Sequence, residues 1–170
     1  MRAAYLLIGG VLAAFVAVLV VVVKATAGQS AQSVAVIHPL VALVVLTAIV
    51  GCFMAVYRNL ALFRGAASPR YFKAYSTDAP PEWVERPARA YMNLLELPVL
   101  FYVVCLLMLA LDKVDATQVA LSWVFVVTRY VHAIIYVGFN YVPLRFAVFL
   151  SGFVALAAVW ARFIGQVYFT

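Results

Sequence analysis

Three polar residues interrupt an otherwise apolar stretch, RPARAYMNLLELPVLFY (residues 86–102): Arg89, Asn93 and Glu96. They stand at i, i+4 and i+7, so on a helix they share one stripe. A second stretch, TRYVHAIIY, repeats the arrangement with Arg129, His132 and Tyr136 at i, i+3 and i+7, and Arg145 follows a short NYVP break. Charge facing lipid near the bilayer centre costs at least about 2.5–3.5 kcal/mol on insertion scales, so these groups require a partner or a wet cavity. The spacing predicts that the two stripes meet, with Arg58 and Arg64 adding positive charge nearby. Cations outnumber the one carboxylate, Glu96, and arginine forks bind carboxylates in bidentate fashion, which suits an anionic ligand.

A plainer reading of the same residues stays open. Glu96 and Arg129 can form a buried ion pair between helices while Arg58, Arg64 and Arg145 snorkel to the interface. His132 alone reads as a satisfied core histidine and Tyr136 alone as an interface aromatic. Pro98, two residues after Glu96, frees the carbonyl of Leu94 and can kink the helix beside the site or serve packing only.

The elements that carry these residues follow from composition. Of 170 residues, 68% are hydrophobic and 11% charged, far above the roughly 45–50% apolar content of soluble domains, so the chain is an integral membrane protein. Five apolar segments, residues 4–23, 38–63, 88–111, 117–139 and 144–168, are each long enough to cross a bilayer as a helix. None alternates with period two over about ten residues, which argues against strands. The expected organisation is all-α: an N-terminal transmembrane helix with its outer loop over residues 1–34, and a four-helix membrane domain over 35–170. Arg2, a long apolar run and Ala25-Thr26-Ala27 also fit a secretory signal, although the run of roughly 20 residues exceeds the usual 7–15.

If the spans alternate sides, Arg2, Arg58, Arg64, Arg70, Lys73, Arg86, Arg89 and Arg145 fall on one side, against Lys24, Lys113 and Arg162 on the other. The positive-inside rule makes the first side cytoplasmic. Arg129 lies about ten residues from its nearer span end, roughly 15 Å deep. The loop over residues 65–85 mixes Arg70 and Lys73 with Tyr71, Phe72, Tyr75, Trp83 and three prolines; it is expected along the headgroups, a lid over the cleft being the alternative. The net charge of +6 forms no basic face of the kind that binds nucleic acid. Cys52 and Cys105 show no metal or disulfide spacing and read as buried small hydrophobes.

VERPARAYMNLLELP and RYVHAIIYVGFNYVPLR resemble the two signature stretches of the membrane-associated proteins in eicosanoid and glutathione metabolism, the MAPEG family, most closely its microsomal glutathione transferase branch. Glu85, Arg86, Arg89, Ala90, Asn93, Glu96 and Pro98 follow the first motif; Arg129, His132, Tyr136 and Arg145 follow the second. The likeness covers residues 38–168 and leaves the first helix outside.

The resemblance implies a homotrimer of four-helix bundles with glutathione, the cosubstrate, bound between subunits near the cytoplasmic face. Arg89, Asn93, Glu96, Arg129, His132 and Tyr136 would hold glutathione, Arg58 would be the arginine from the preceding span, with Arg64 as its alternative, and Arg145 would stabilise the thiolate as the catalytic residue. The implied activity is a glutathione-dependent transferase or peroxidase acting on a lipophilic electrophile or hydroperoxide, without a metal, in a bacterial cytoplasmic (inner) membrane. The alternatives are a non-catalytic lipid- or ligand-binding protein and a structural membrane protein of the same fold.

Overall fold

The computed structural model describes residues 2–74 and 79–169. Six helices make up the fold: α1 (Arg2–Thr26), α2 (Ile37–Phe63), α3 (Pro69–Ala74), α4 (Glu82–Ala110), α5 (Ala116–Val137) and α6 (Val142–Tyr168), with a 3₁₀ turn at Ser33–Val36 before α2. Among the described residues, all but α3 are long and apolar enough to cross a membrane, as the hydropathy requires. The protein is a multi-pass, all-α membrane bundle. Each helix extends a few residues beyond, or stops just short of, its apolar run, because polar first and last turns remain helical.

Left-handed residues end two of the helices. Gly65 (φ 65°) and Asp112 (φ 50°) turn the chain after α2 and α4, and the next amides, Ala66 and Lys113, donate back to Ala61 and Met108 over 2.8 and 2.9 Å. Carbonyls that a helix end leaves open are thereby satisfied. Asn140 (φ 49°) makes the tight break between α5 and α6, a conformation that Asn tolerates better than most residues.

Within the bundle α5 packs chiefly on α6 and α2 on α4. Phe101 and Phe125, 4.8 Å apart, join α4 to α5, and Tyr130 donates across to the carbonyl of Ala42 on α2. The first helix lies along α6 and α5. Only Leu19 of α1 is buried, yet its end is tied down: Thr26 Oγ1 donates to Thr117 Oγ1 over 2.9 Å, and the Ala116 amide bonds to Gln29 O. Asp115 caps α5 by accepting from the Gln118 amide and also receives the Arg162 guanidinium and the Gln166 amide. One carboxylate thus joins α5 and α6 beside the end of α1.

One expectation is corrected. Cys105 is buried, but Cys52 is exposed on α2, where it lines an open groove with Tyr91 and Tyr102 of α4. The loop between α2 and α4 contains the short helix α3, with Tyr71 buried and Phe72 beneath the Arg58 guanidinium at 5.3 Å. Its described part therefore packs on the end of α2. Tyr75 lies outside the described residues.

Candidate functional site

At the arginine-rich end of the bundle, Asn93, His132, Tyr136, Val142, Arg145, Phe146 and Phe149 line a cavity of about 250 Å³. Three helices contribute. From α4 comes Asn93, whose Nδ2 donates to Arg89 O, one turn back. From α5 come His132 and Tyr136, rings edge to face at 5.7 Å, with Phe149 5.8 Å from the imidazole. Arg145 reaches in from the first turn of α6, its guanidinium 4.1 Å from the Tyr136 ring centre, well within cation–π range. Among the described residues its side chain makes one hydrogen bond, to Asn140 Oδ1, and no ion pair.

Thus the two polar stripes do meet, through Asn93 rather than Glu96. Taking Arg89 as zero, 100° per residue puts Asn93 about 40° to one side and Glu96 about 20° to the other. The buried face of α4, which includes Ala90, Leu94, Phe101 and Met108, lies beyond Asn93. Asn93 therefore reaches the edge of the packed face, while Arg89 and Glu96 look outward and are exposed. Arg89 lies 3.6 Å from Glu85; Glu96 has no hydrogen bond or ion pair among the described residues. The expected pairing of Glu96 with Arg129 does not occur within one chain.

Arg129 is 1% exposed and sits inside the α5–α6 contact. Its Nη2 donates to Phe149 O at 3.0 Å, and its guanidinium lies 5.4 and 5.3 Å from the rings of Phe125 and Phe149. Nε and Nη1 have no partner among the described residues. Gly152 provides the room: a Cβ there would stand 2.0 Å from Nη2. Arg129 does not line the cavity. Neither does Arg58, which rests over Phe72, nor Arg64, exposed at the end of α2. Positive charge is spread along this end rather than gathered on one carboxylate.

Glu82, Gly138 and Asn140, together with Arg86 of the first motif, complete the surroundings. Asn140 Nδ2 donates to Glu82 Oε1 at 2.9 Å; Arg86 bonds Glu82 Oε2 at 2.9 Å and the Gly138 carbonyl at 2.7 Å. The first turn of α4 thereby clasps the α5–α6 turn. The one sequence signal was Asn in the NYVP break, an amide suited to a left-handed turn. Among the described residues no group of His, Cys, Asp and Glu could hold a metal ion.

Apolar spanning helices and a cavity walled by an arginine without a carboxylate partner among the described residues define a multi-pass membrane protein with a cationic site in its bundle. A family model described as the MAPEG family matches residues 36–165, and the chain belongs to that family. It is thus a membrane protein of the glutathione and eicosanoid metabolism type. The match starts just before α2 and ends in α6, so α1 lies outside it. No curated protein and no solved structure matches significantly.

Proposed function

We propose that the protein is a membrane-embedded glutathione-dependent transferase or peroxidase whose Arg145 stabilises the glutathione thiolate. The observation that carries this reading is the Arg145 guanidinium, held on a cavity wall by a neutral amide and an aromatic ring, with no ion pair to a carboxylate among the described residues. A free thiol ionises near pH 8.5, so lowering that by about 1.5 units needs roughly 2 kcal/mol, within reach of one well-placed arginine. The proton passes to water, and the thiolate either bonds to carbon of a lipophilic electrophile, which gives up its leaving group or takes up a proton, or cleaves the O–O bond of a hydroperoxide, releasing the alcohol and a sulfenic acid that a second glutathione converts to disulfide and water.

A cavity of about 250 Å³ is small beside the 300–1,000 Å³ of most ligand sites, so one chain supplies part of the site. The rest comes from a second copy in a homotrimer. Arg89 and Glu96 support this, for they stand exposed among Met92, Leu95, Val99 and Leu100 on the outer face of α4, where uncovered charge in hydrocarbon is costly. On this reading Arg89 and Glu96 bind the charged ends of glutathione across the subunit boundary, Asn93, His132 and Tyr136 contact its peptide, and Arg129 holds the α5–α6 wall. Arg58 stands by for the same ligand from the end of α2. The positive-inside distribution supports a cytoplasmic face for the site, in what we propose is a bacterial inner membrane.

A thermal-shift series on the purified protein tests the proposal. Glutathione should raise the unfolding temperature in a saturable way, and an analogue without the thiol should do so less. Equal shifts by both would leave binding without thiolate chemistry; no shift by either would refute glutathione as the ligand.

A further inference from the structure

We infer that Asn140 is a positioning residue that aims the Arg145 guanidinium into the cavity without itself pairing it to a negative charge, an inference that rests on the reading of Arg145 as the thiolate-binding cation. Arg145 donates to Asn140 Oδ1. The same amide donates through Nδ2 to Glu82 Oε1. Asn140 therefore stands between a carboxylate and a guanidinium and bonds to both, which an amide can do because it is donor at one end and acceptor at the other.

The arrangement solves a specific problem. A long arginine side chain loses rotamer freedom when held in one place, and the usual way to hold it is a carboxylate. A carboxylate would also neutralise the charge that an incoming anion needs. The neutral amide holds the guanidinium against the Tyr136 ring and keeps Glu82 one residue away. Glu82 is itself occupied by Arg86, whose other hydrogen bond fixes the Gly138 carbonyl. The groups around Arg145 are thus Glu82 and Arg86 on α4 beyond the amide, and His132 and Tyr136 on α5.

The backbone at Asn140 makes the side chain separable from the turn. With φ at 49°, glycine and aspartate both tolerate the position. Asn140→Gly keeps the turn and removes the amide; Asn140→Asp keeps an oxygen for Arg145 but adds a negative charge.

Two readouts on full-length wild type and both variants test the inference. The first, which needs no glutathione, is the rate at which phenylglyoxal modifies Arg145, followed by peptide mass spectrometry. Asn140→Gly should speed modification several-fold, and Asn140→Asp should leave it at or below the wild-type rate. The second is the pH midpoint of the glutathione thiolate absorbance, which Asn140→Asp should raise by about one unit, the lower end of the effect of a neighbouring charge. An unchanged labelling rate in Asn140→Gly overturns the positioning role. An unchanged midpoint in Asn140→Asp overturns the charge role. A wild type that shows no thiolate signal at any pH refutes the thiolate reading and the charge role with it, while the labelling rates still decide whether Asn140 positions Arg145.

Discussion

Gly152→Ala should be among the most damaging single-methyl additions in the bundle. The added Cβ would lie 2.0 Å from Arg129 Nη2, 2.8 Å from its Cζ and 2.6 Å from Thr128 Oγ1. Carbon contacts settle near 3.5–4.0 Å, so the guanidinium must retreat by about 1.5 Å. It has nowhere open to go, being 1% exposed and set between two aromatic rings. Retreat breaks the hydrogen bond to Phe149 O, and a bond from a charged donor contributes about 1.5–3 kcal/mol. Overpacking adds about 1–3 kcal/mol, so the total is about 2.5–6 kcal/mol. The assay is unfolding in mixed micelles of rising SDS content, with Arg129→Met as the second arm of a double-mutant cycle. Once the guanidinium is gone, only the Thr128 Oγ1 contact at 2.6 Å remains, so Gly152→Ala should cost less by at least the roughly 1.5 kcal/mol of the bond to Phe149 O. A loss below about 1 kcal/mol in the native background, or the same loss in both, would refute the packing argument.

Other perturbations have expected outcomes of their own. Asp115→Ala removes the α5 cap together with the partner of Arg162 and Gln166; it should lower stability in the same SDS assay by at least the roughly 1 kcal/mol of a cap, and a neutral result would show that the cluster contributes nothing. Tyr136→Leu removes the ring under Arg145 and should weaken glutathione binding about three- to tenfold by calorimetry, whereas Tyr136→Phe keeps the ring and should bind nearly as wild type; equal losses would point to the hydroxyl instead. Glu96→Gln should reduce glutathione-induced stabilisation while leaving the unliganded stability within about 0.5 kcal/mol, because the side chain bonds to nothing among the described residues. A large loss without ligand would place Glu96 in the packing between copies.

The spans were legible because hydrocarbon thickness sets their length, and the inward face of α5 because Arg129, His132 and Tyr136 have no tolerable alternative in lipid. What periodicity could not resolve was a matter of tens of degrees. Arg89, Asn93 and Glu96 share a stripe about 60° wide, and the edge of the packed face of α4 runs through it, so Asn93 lines the cavity and Glu96 does not. Arg129 illustrates a different limit. Its depth was predictable, but its seat depends on Gly152, more than twenty positions along the chain, and on a main-chain carbonyl of Phe149. Spacing within one helix carries no such information. Asn140 escaped for the opposite reason: in a break between helices, Asn is explained by the turn alone, and its bonds to Glu82 and Arg145 appear only when α4 is brought alongside.

The central claim is that an uncompensated Arg145 holds a thiolate, and ultraviolet difference spectroscopy of glutathione added to the purified protein tests it most directly. The account predicts a thiolate band near neutral pH that saturates with glutathione and disappears in Arg145→Ala, while the variant keeps its fold. A band of equal size in Arg145→Ala, or none in the wild type, would contradict it.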